Sequence, residues 1–245
     1  MTSFLSLPAR VVVDPVESVP TAVASRRWLW PLLILCLTSA FSGVAFASRF
    51  DAQAAVLSSL AQTGELETIT DHDLAEKIVR SQHLAVVSGV AKGVFVMPFF
   101  VFLIAAAVKF ASWLIGRKTK FVQLFTGVSV AFLPIALANL LFGICALAQL
   151  SIPLEAAKTL LPSSLGALIH VHSPKVGRLL AGVDFFNLWT VGLLGLGYAE
   201  ASGMKKGRAL IFVLILYVCF VGVFMVGLPA MAGAHPGGGP HGGPH

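Results

Sequence analysis

Charge is what this sequence has least of. Asp, Glu, Lys and Arg supply 11% of its 245 residues, whereas a soluble domain usually carries about 25%. So few charges cannot clothe a water-facing surface, which excludes an ordinary soluble globule. Cysteine is scarce too. Cys36, Cys145 and Cys219 fall in different apolar stretches with no metal or redox spacing, where thiols act as small hydrophobes. Catalytic signatures are missing altogether: there is no HExxH, no GxSxG and no GxxxxGK[ST]. Gly195-Leu196-Gly197 reads as close helix packing, because a dinucleotide turn needs a strand before it. Neither an enzyme nor a cofactor is expected.

What the chain has instead is long apolar runs. Hydrophobic residues make up 57% and the mean hydropathy is +0.88. About 20 apolar residues cross a bilayer core as a helix, and the runs place spans at about 28–47, 91–115, 121–150, 182–201 and 209–233. The fourth has the shortest charge-free stretch, 15 residues between Asp184 and Glu200. Segments such as LLILCL, FLIAAAV and LIFVLIL are apolar all round, so they are helices and not alternating barrel strands. The expected fold is an all-α integral membrane protein, a five-helix transmembrane bundle with short interfacial helices. Residues 28–234 form its membrane domain.

The formal charge of +6 reads as topology, with no nucleic-acid partner implied. Arg10, Arg26 and Arg27 precede the first span. Arg117, Lys118 and Lys120 lie between the second and third, and Lys205, Lys206 and Arg208 between the fourth and fifth. These short basic segments alternate with long loops, at residues 48–88 and 151–183, so all fall on one face. By the positive-inside rule that face is cytoplasmic. The N-terminus is then inside and the C-terminus outside. The rival reading is a signal peptide cleaved at Ala47-Ser48, against which stand Asp14 and Glu17 in the leader and the full bilayer length of the run.

Residues 1–27 read as a cytoplasmic segment with a short interfacial helix. Asp14 is its N-cap, Pro15 sits at N1 and Glu17 at N3, and Pro20 limits its length. An amphipathic helix after Thr70 leads into the second span. The tail at 235–245 is too rich in His, Gly and Pro to bury anything and is expected to be disordered.

The candidate sites are few. On the fourth span Asp184, Asn187, Val191, Gly195 and Ser202 share a small or polar stripe expected to face the bundle. Phe186, Trp189, Leu193 and Leu196 point the other way, toward lipid or large partner side chains. Asp184 reads as a helix cap or, less simply, a functional acid. Glu200 lies about 24 Å further along the axis and reads as an interfacial anchor within reach of Lys205 and Lys206. Lys92 and Lys109 flank the second span and can snorkel to its ends. Pro98 and Pro134 should kink their helices, and Pro134 with Asn139 frames either a polar pocket or a kink plus one interhelical bond. His235, His241 and His245 form a weak candidate metal site in the tail.

The lead-in LPARVVVDPVESV, the hairpin LIGRKTKFVQLF, the proline of VAFLPIALANLL and the stretch DFFNLWTVGLLGLGYAEASGMKKGRA together resemble the Yip1-type membrane proteins. The most specific part is Asp184, Phe185 and Trp189 followed by Gly195, Gly197, Lys205 and Lys206. The eukaryotic branch is associated with ER–Golgi membranes, vesicle traffic and prenylated Rab GTPases. This sequence has a short N-terminal segment and no DLYGP-like motif, so it looks like the bacterial form. The resemblance does not define the activity of that form; the first expectation is a non-enzymatic scaffold or assembly partner in the bacterial inner membrane, or in ER/Golgi membranes if the source is eukaryotic. Its partners would be the lipid bilayer and other membrane proteins or further copies of itself. The alternatives are a small transporter or transporter accessory using Asp184, Asn187 and Asn139, and metal handling through the tail.

Overall fold

The computed structural model describes residues 10–11, 13–153, 156, 160–161 and 184–223. Among them the chain is helical and contains no strand; Phe50 and Ile152 form an isolated backbone bridge.

Helix α1, Pro15–Ser25, starts with proline at its first position, but Asp14 makes no side-chain capping bond. The helix also runs straight through Pro20. The missing amide bond is tolerated because packing holds the helix. Val19, Ala22 and Val23 are fully buried, against α6 (Phe121–Ala131) and α8 (Phe185–Ser202). The expected surface segment is therefore a wall of the core. It ends at Arg26, whose φ of 55° turns the chain.

Helix α2, Leu29–Arg49, buries Leu35, Ser39, Ser42, Ala45 and Ala47. It runs past Ala47-Ser48 without a break. Helix α3, Ala52–Thr63, is capped by Asp51, which accepts from the Ala54 amide at 2.8 Å, and it closes on Gly64 with φ of 74°. Helix α4, Asp71–Ala91, is capped by Thr70. As the sequence suggests, it continues into the second apolar run, α5 (Met97–Leu114), through a π-helical turn at Lys92–Val96.

That π turn falls just before Pro98, where the sequence suggests a kink. Proline cannot donate to the carbonyl four residues back, and the wider turn changes the register just before it, with the Met97 amide donating to the Lys92 carbonyl. The resulting 44-residue helix is about 66 Å long at 1.5 Å per residue. That is roughly twice a ~30 Å hydrocarbon core, so α4 must stand largely outside it.

In the third run the α-helix is interrupted at Phe132, just before the proline. Helices α6 and α7 (Leu133–Leu147) meet at Phe132, and Pro134 falls in the first turn of α7, where a missing amide costs nothing. Helix α9, Lys206–Val221, follows α8 through Gly203, whose φ is 66°.

Among the described residues, three segments are long and apolar enough to cross a membrane: Leu29–Arg49, Asp71–Leu114 and Phe121–Leu147. Helix α8 has the length but carries Asn187, Thr190, Tyr198 and Glu200, which lower its hydropathy. Helix α9 is 16 residues long, and residues 224–233 of its apolar run lie outside the described ones.

Helix α8 is the hub, packing against α1, α6, α7 and α9. Its Val191 and Gly195 are buried as the stripe predicts, yet Phe186 and Leu193 are buried as well. Those two do not face lipid. The stripe calculation treats a helix as having one covered face, whereas α8 is enclosed on several.

Close crossings complete the bundle. A Cβ on Gly43 of α2 would lie 2.5 Å from the Gly89 Cα of α4, and one on Gly93 would lie 2.6 Å from the Ala40 Cβ. A Cβ on Gly197 of α8 would lie 3.1 Å from the Gly127 Cα of α6. Small residues let backbones meet where packing must supply the association energy.

Candidate functional site

The polar residues inside an apolar bundle are the natural place to look for chemistry, because each costs free energy unless it finds a partner. Asp184 finds backbone. Its Oδ1 accepts from the Phe186 amide at 2.7 Å and the Asn187 amide at 3.2 Å. Two of the first-turn donors of α8 are thereby satisfied, and the negative charge lies at the positive end of the helix dipole.

This geometry separates capping from proton handling. Asparagine caps a helix about as well as aspartate, whereas alanine costs about 1 kcal/mol. Asp184→Asn should therefore leave thermal stability in detergent nearly unchanged, and Asp184→Ala should lower it by about that amount. Equal losses for both substitutions would show that the charge, and not the cap, is what counts.

Asn139 on α7 donates from Nδ2 to the Ser39 Oγ on α2 at 2.8 Å. Both residues lie where the two helices pack, so the bond ties the first apolar run to the third. Pro134, close by in sequence, is buried at the α6–α7 break. Of the two readings open for this pair, the geometry is that of a kink plus one interhelical bond. Asn187 is half-buried one turn into α8, and Trp189 is half-buried against the core.

The most connected polar cluster is one the sequence does not single out. Tyr198 of α8 is 1% exposed and donates to the Ser112 Oγ on α5 at 3.2 Å. Ser112 also lies 3.5 Å from the Thr119 hydroxyl, and the Lys109 ammonium donates to the Thr119 carbonyl. Ser112 and Thr119 are buried. The cluster clamps the turn between α5 and α6 onto α8. Lys109 is thus drawn to the end of the bundle, as expected of a snorkelling lysine, but its ammonium meets a carbonyl there. A signal exists in the sequence: a lone tyrosine in an apolar run needs a hydroxyl partner, and Ser112 and Thr119 bracket the basic hairpin.

Arg117, Lys118, Lys120, Lys205, Lys206 and Arg208 are all exposed. Glu200 is exposed too, but it makes no ion pair with Lys205 or Lys206; among the described residues the ion pair is Lys77 with Glu65, at 3.4 Å. An exposed pair of this kind is worth about 0–1 kcal/mol, too little to immobilise long side chains. No group of His, Cys, Asp and Glu among the described residues is arranged to hold a metal, and His235, His241 and His245 lie outside them.

The family model described as the Yip1 domain matches residues 9–228. That match takes in the α1 wall, the Ser39–Asn139 bond, the Tyr198 cluster and both basic turns. No curated protein and no solved structure matches the chain.

Proposed function

The chain belongs to the Yip1 domain family and is a membrane protein, and on that premise we propose that it works as a non-enzymatic scaffold or assembly partner built from five membrane spans. Helices α2, α5, α6–α7, α8 and α9 supply the spans. Helix α1 closes the bundle beside α8, where the basic turns lie. The positive-inside rule puts those turns in the cytoplasm, with the N-terminus inside and the C-terminus outside, in a bacterial inner membrane.

One observation carries this reading more than any other: Asp184, Asn139 and Tyr198 are each engaged in structural bonds, the first as a cap on its own helix and the other two between helices. Asp184 bonds to the amides of α8, Asn139 to Ser39, and Tyr198 to Ser112. A transport path needs groups free to exchange partners with a cargo. The glycine crossings support the same view, since they hold the helices at backbone contact.

Cross-linking in native membranes should recover a defined membrane-protein partner or further copies of the chain. Proteoliposomes holding the purified protein should show no flux above empty vesicles for protons or monovalent cations. A flux that Asp184→Asn abolishes while leaving the fold intact would overturn the scaffold reading in favour of transport.

A further inference from the structure

A groove of about 360 Å³ lies between the start of α1, one side of α8 and the start of α9. Its walls are apolar: Trp189, Leu193 and Leu196 come from α8 and Leu210 from α9. Two glycines keep it open. A Cβ built on Gly192 or on Gly207, both in the lining, would meet nothing within 4 Å. Among the described residues Lys206 is the one charged residue lining it, and Lys205, Lys206 and Arg208 are all exposed in that turn.

These features select an occupant. An apolar trough at the side of a membrane helix is filled by whatever apolar chain is at hand, and lipid tails are the commonest. The cations decide which lipid. A basic residue held near an anionic membrane surface contributes about 1 kcal/mol to association, and here Lys206 lines the trough, with Lys205 and Arg208 exposed in the same basic turn. The first amides of α9 point to the same end without a side-chain cap, which adds a further partial positive charge. A second copy of this chain could cover the apolar walls, but it would leave the cations unmatched unless it also brought acids.

We propose that this groove holds one acyl chain of an anionic phospholipid, with the headgroup phosphate set against Lys206 in the basic turn that opens α9. The site goes beyond the scaffold reading and depends only on the basic turn lying at a membrane surface. Finding flux, or failing to find a partner protein, leaves it untouched.

Trp189 lines the groove and can report its occupant. The full chain, with Trp28, Trp30 and Trp113 replaced by phenylalanine, is placed in nanodiscs of phosphatidylcholine. Either phosphatidylglycerol or phosphatidylcholine with brominated chains is then added at equal mole fraction. Brominated phosphatidylglycerol should quench Trp189 at lower mole fraction than brominated phosphatidylcholine. Lys206→Gln should weaken that preference about fivefold, while Lys118→Gln, on the other basic turn, should not. Gly192→Leu fills the groove and should reduce quenching by both lipids.

Equal quenching by the two headgroups overturns the proposal, as does a Lys206→Gln variant that keeps the full preference. Shielding of Trp189 that grows with protein density, whatever the lipid, assigns the groove to a second copy instead. If Gly192→Leu does not fold, Lys206→Gln still decides the matter, because that side chain is exposed and makes no ion pair among the described residues.

Discussion

Gly43→Ala destabilises the full chain by about 3 kcal/mol, read as lowered resistance to denaturant in mixed micelles. Alanine is the better helix former by about 1 kcal/mol, so a glycine that merely sat in α2 would yield a gain on substitution. Here the added Cβ would lie 2.5 Å from the Gly89 Cα and 2.7 Å from the Gly89 carbonyl oxygen. Those are backbone atoms, with no rotamer to change. The helices must separate, and the contacts on either side of the crossing, including Gly93 against Ala40, loosen with them. Gly222→Ala is the control. Gly222 has helical dihedrals and open space where its Cβ would stand, so its substitution should be neutral or slightly stabilising. The sign of the Gly43 effect is therefore diagnostic: a gain would mean that α2 and α4 do not cross there.

Most of the bundle is legible in the sequence because apolar length is a robust signal. The three segments long and apolar enough to cross a membrane take in nearly all of the first three of the five runs read from composition, and the joint between α4 and the second run comes from uninterrupted periodicity after Thr70. What escapes is anything set by the third dimension. Pro20 and Asp14 suggest a short surface helix, since local rules treat proline as a stop. Burial of Val19, Ala22 and Val23 overrides that preference, and no local pattern reveals which neighbours will bury them. Phe186 and Leu193 fall on the side read as facing lipid or large partner side chains, and burial leaves the second of these. Periodicity finds one covered face and does not count the helices that cover it.

The prolines make a sharper comparison. Pro98 and Pro134 look equivalent in sequence, each inside an apolar run. One is absorbed by a π turn that keeps a single long helix, and the other divides α6 from α7 at Phe132. Both outcomes answer the same missing amide. Near Pro98 the chain lies beside α2, where Gly93 already packs against Ala40, and a continuous helix preserves that contact. At Pro134 the break comes where α6, packed on α1 and α8, gives way to α7, packed on α2. Tertiary demand chose between two local solutions of similar cost.

Tyr198 should be among the most sensitive side chains in the protein, and its two functions separate by substitution. Tyr198→Ala removes a fully buried ring stacked on Phe212, with centroids 4.7 Å apart, and should cost about 4 kcal/mol as the cavity fails to close. Tyr198→Phe keeps the ring and removes only the hydroxyl bonded to Ser112, for about 1 kcal/mol. The smaller change should have its own readout. Through Ser112 and Thr119 the hydroxyl steadies the turn between α5 and α6, so Tyr198→Phe should speed tryptic cleavage at Arg117 and Lys118 more than it lowers global stability. The pair can be tested as a unit. Ser112→Ala combined with Tyr198→Phe should cost clearly less than the sum of the single effects, because either change alone breaks the same bond. Strict additivity would mean that the two residues are merely neighbours, and the clamp between α5 and α8 would have to lie elsewhere.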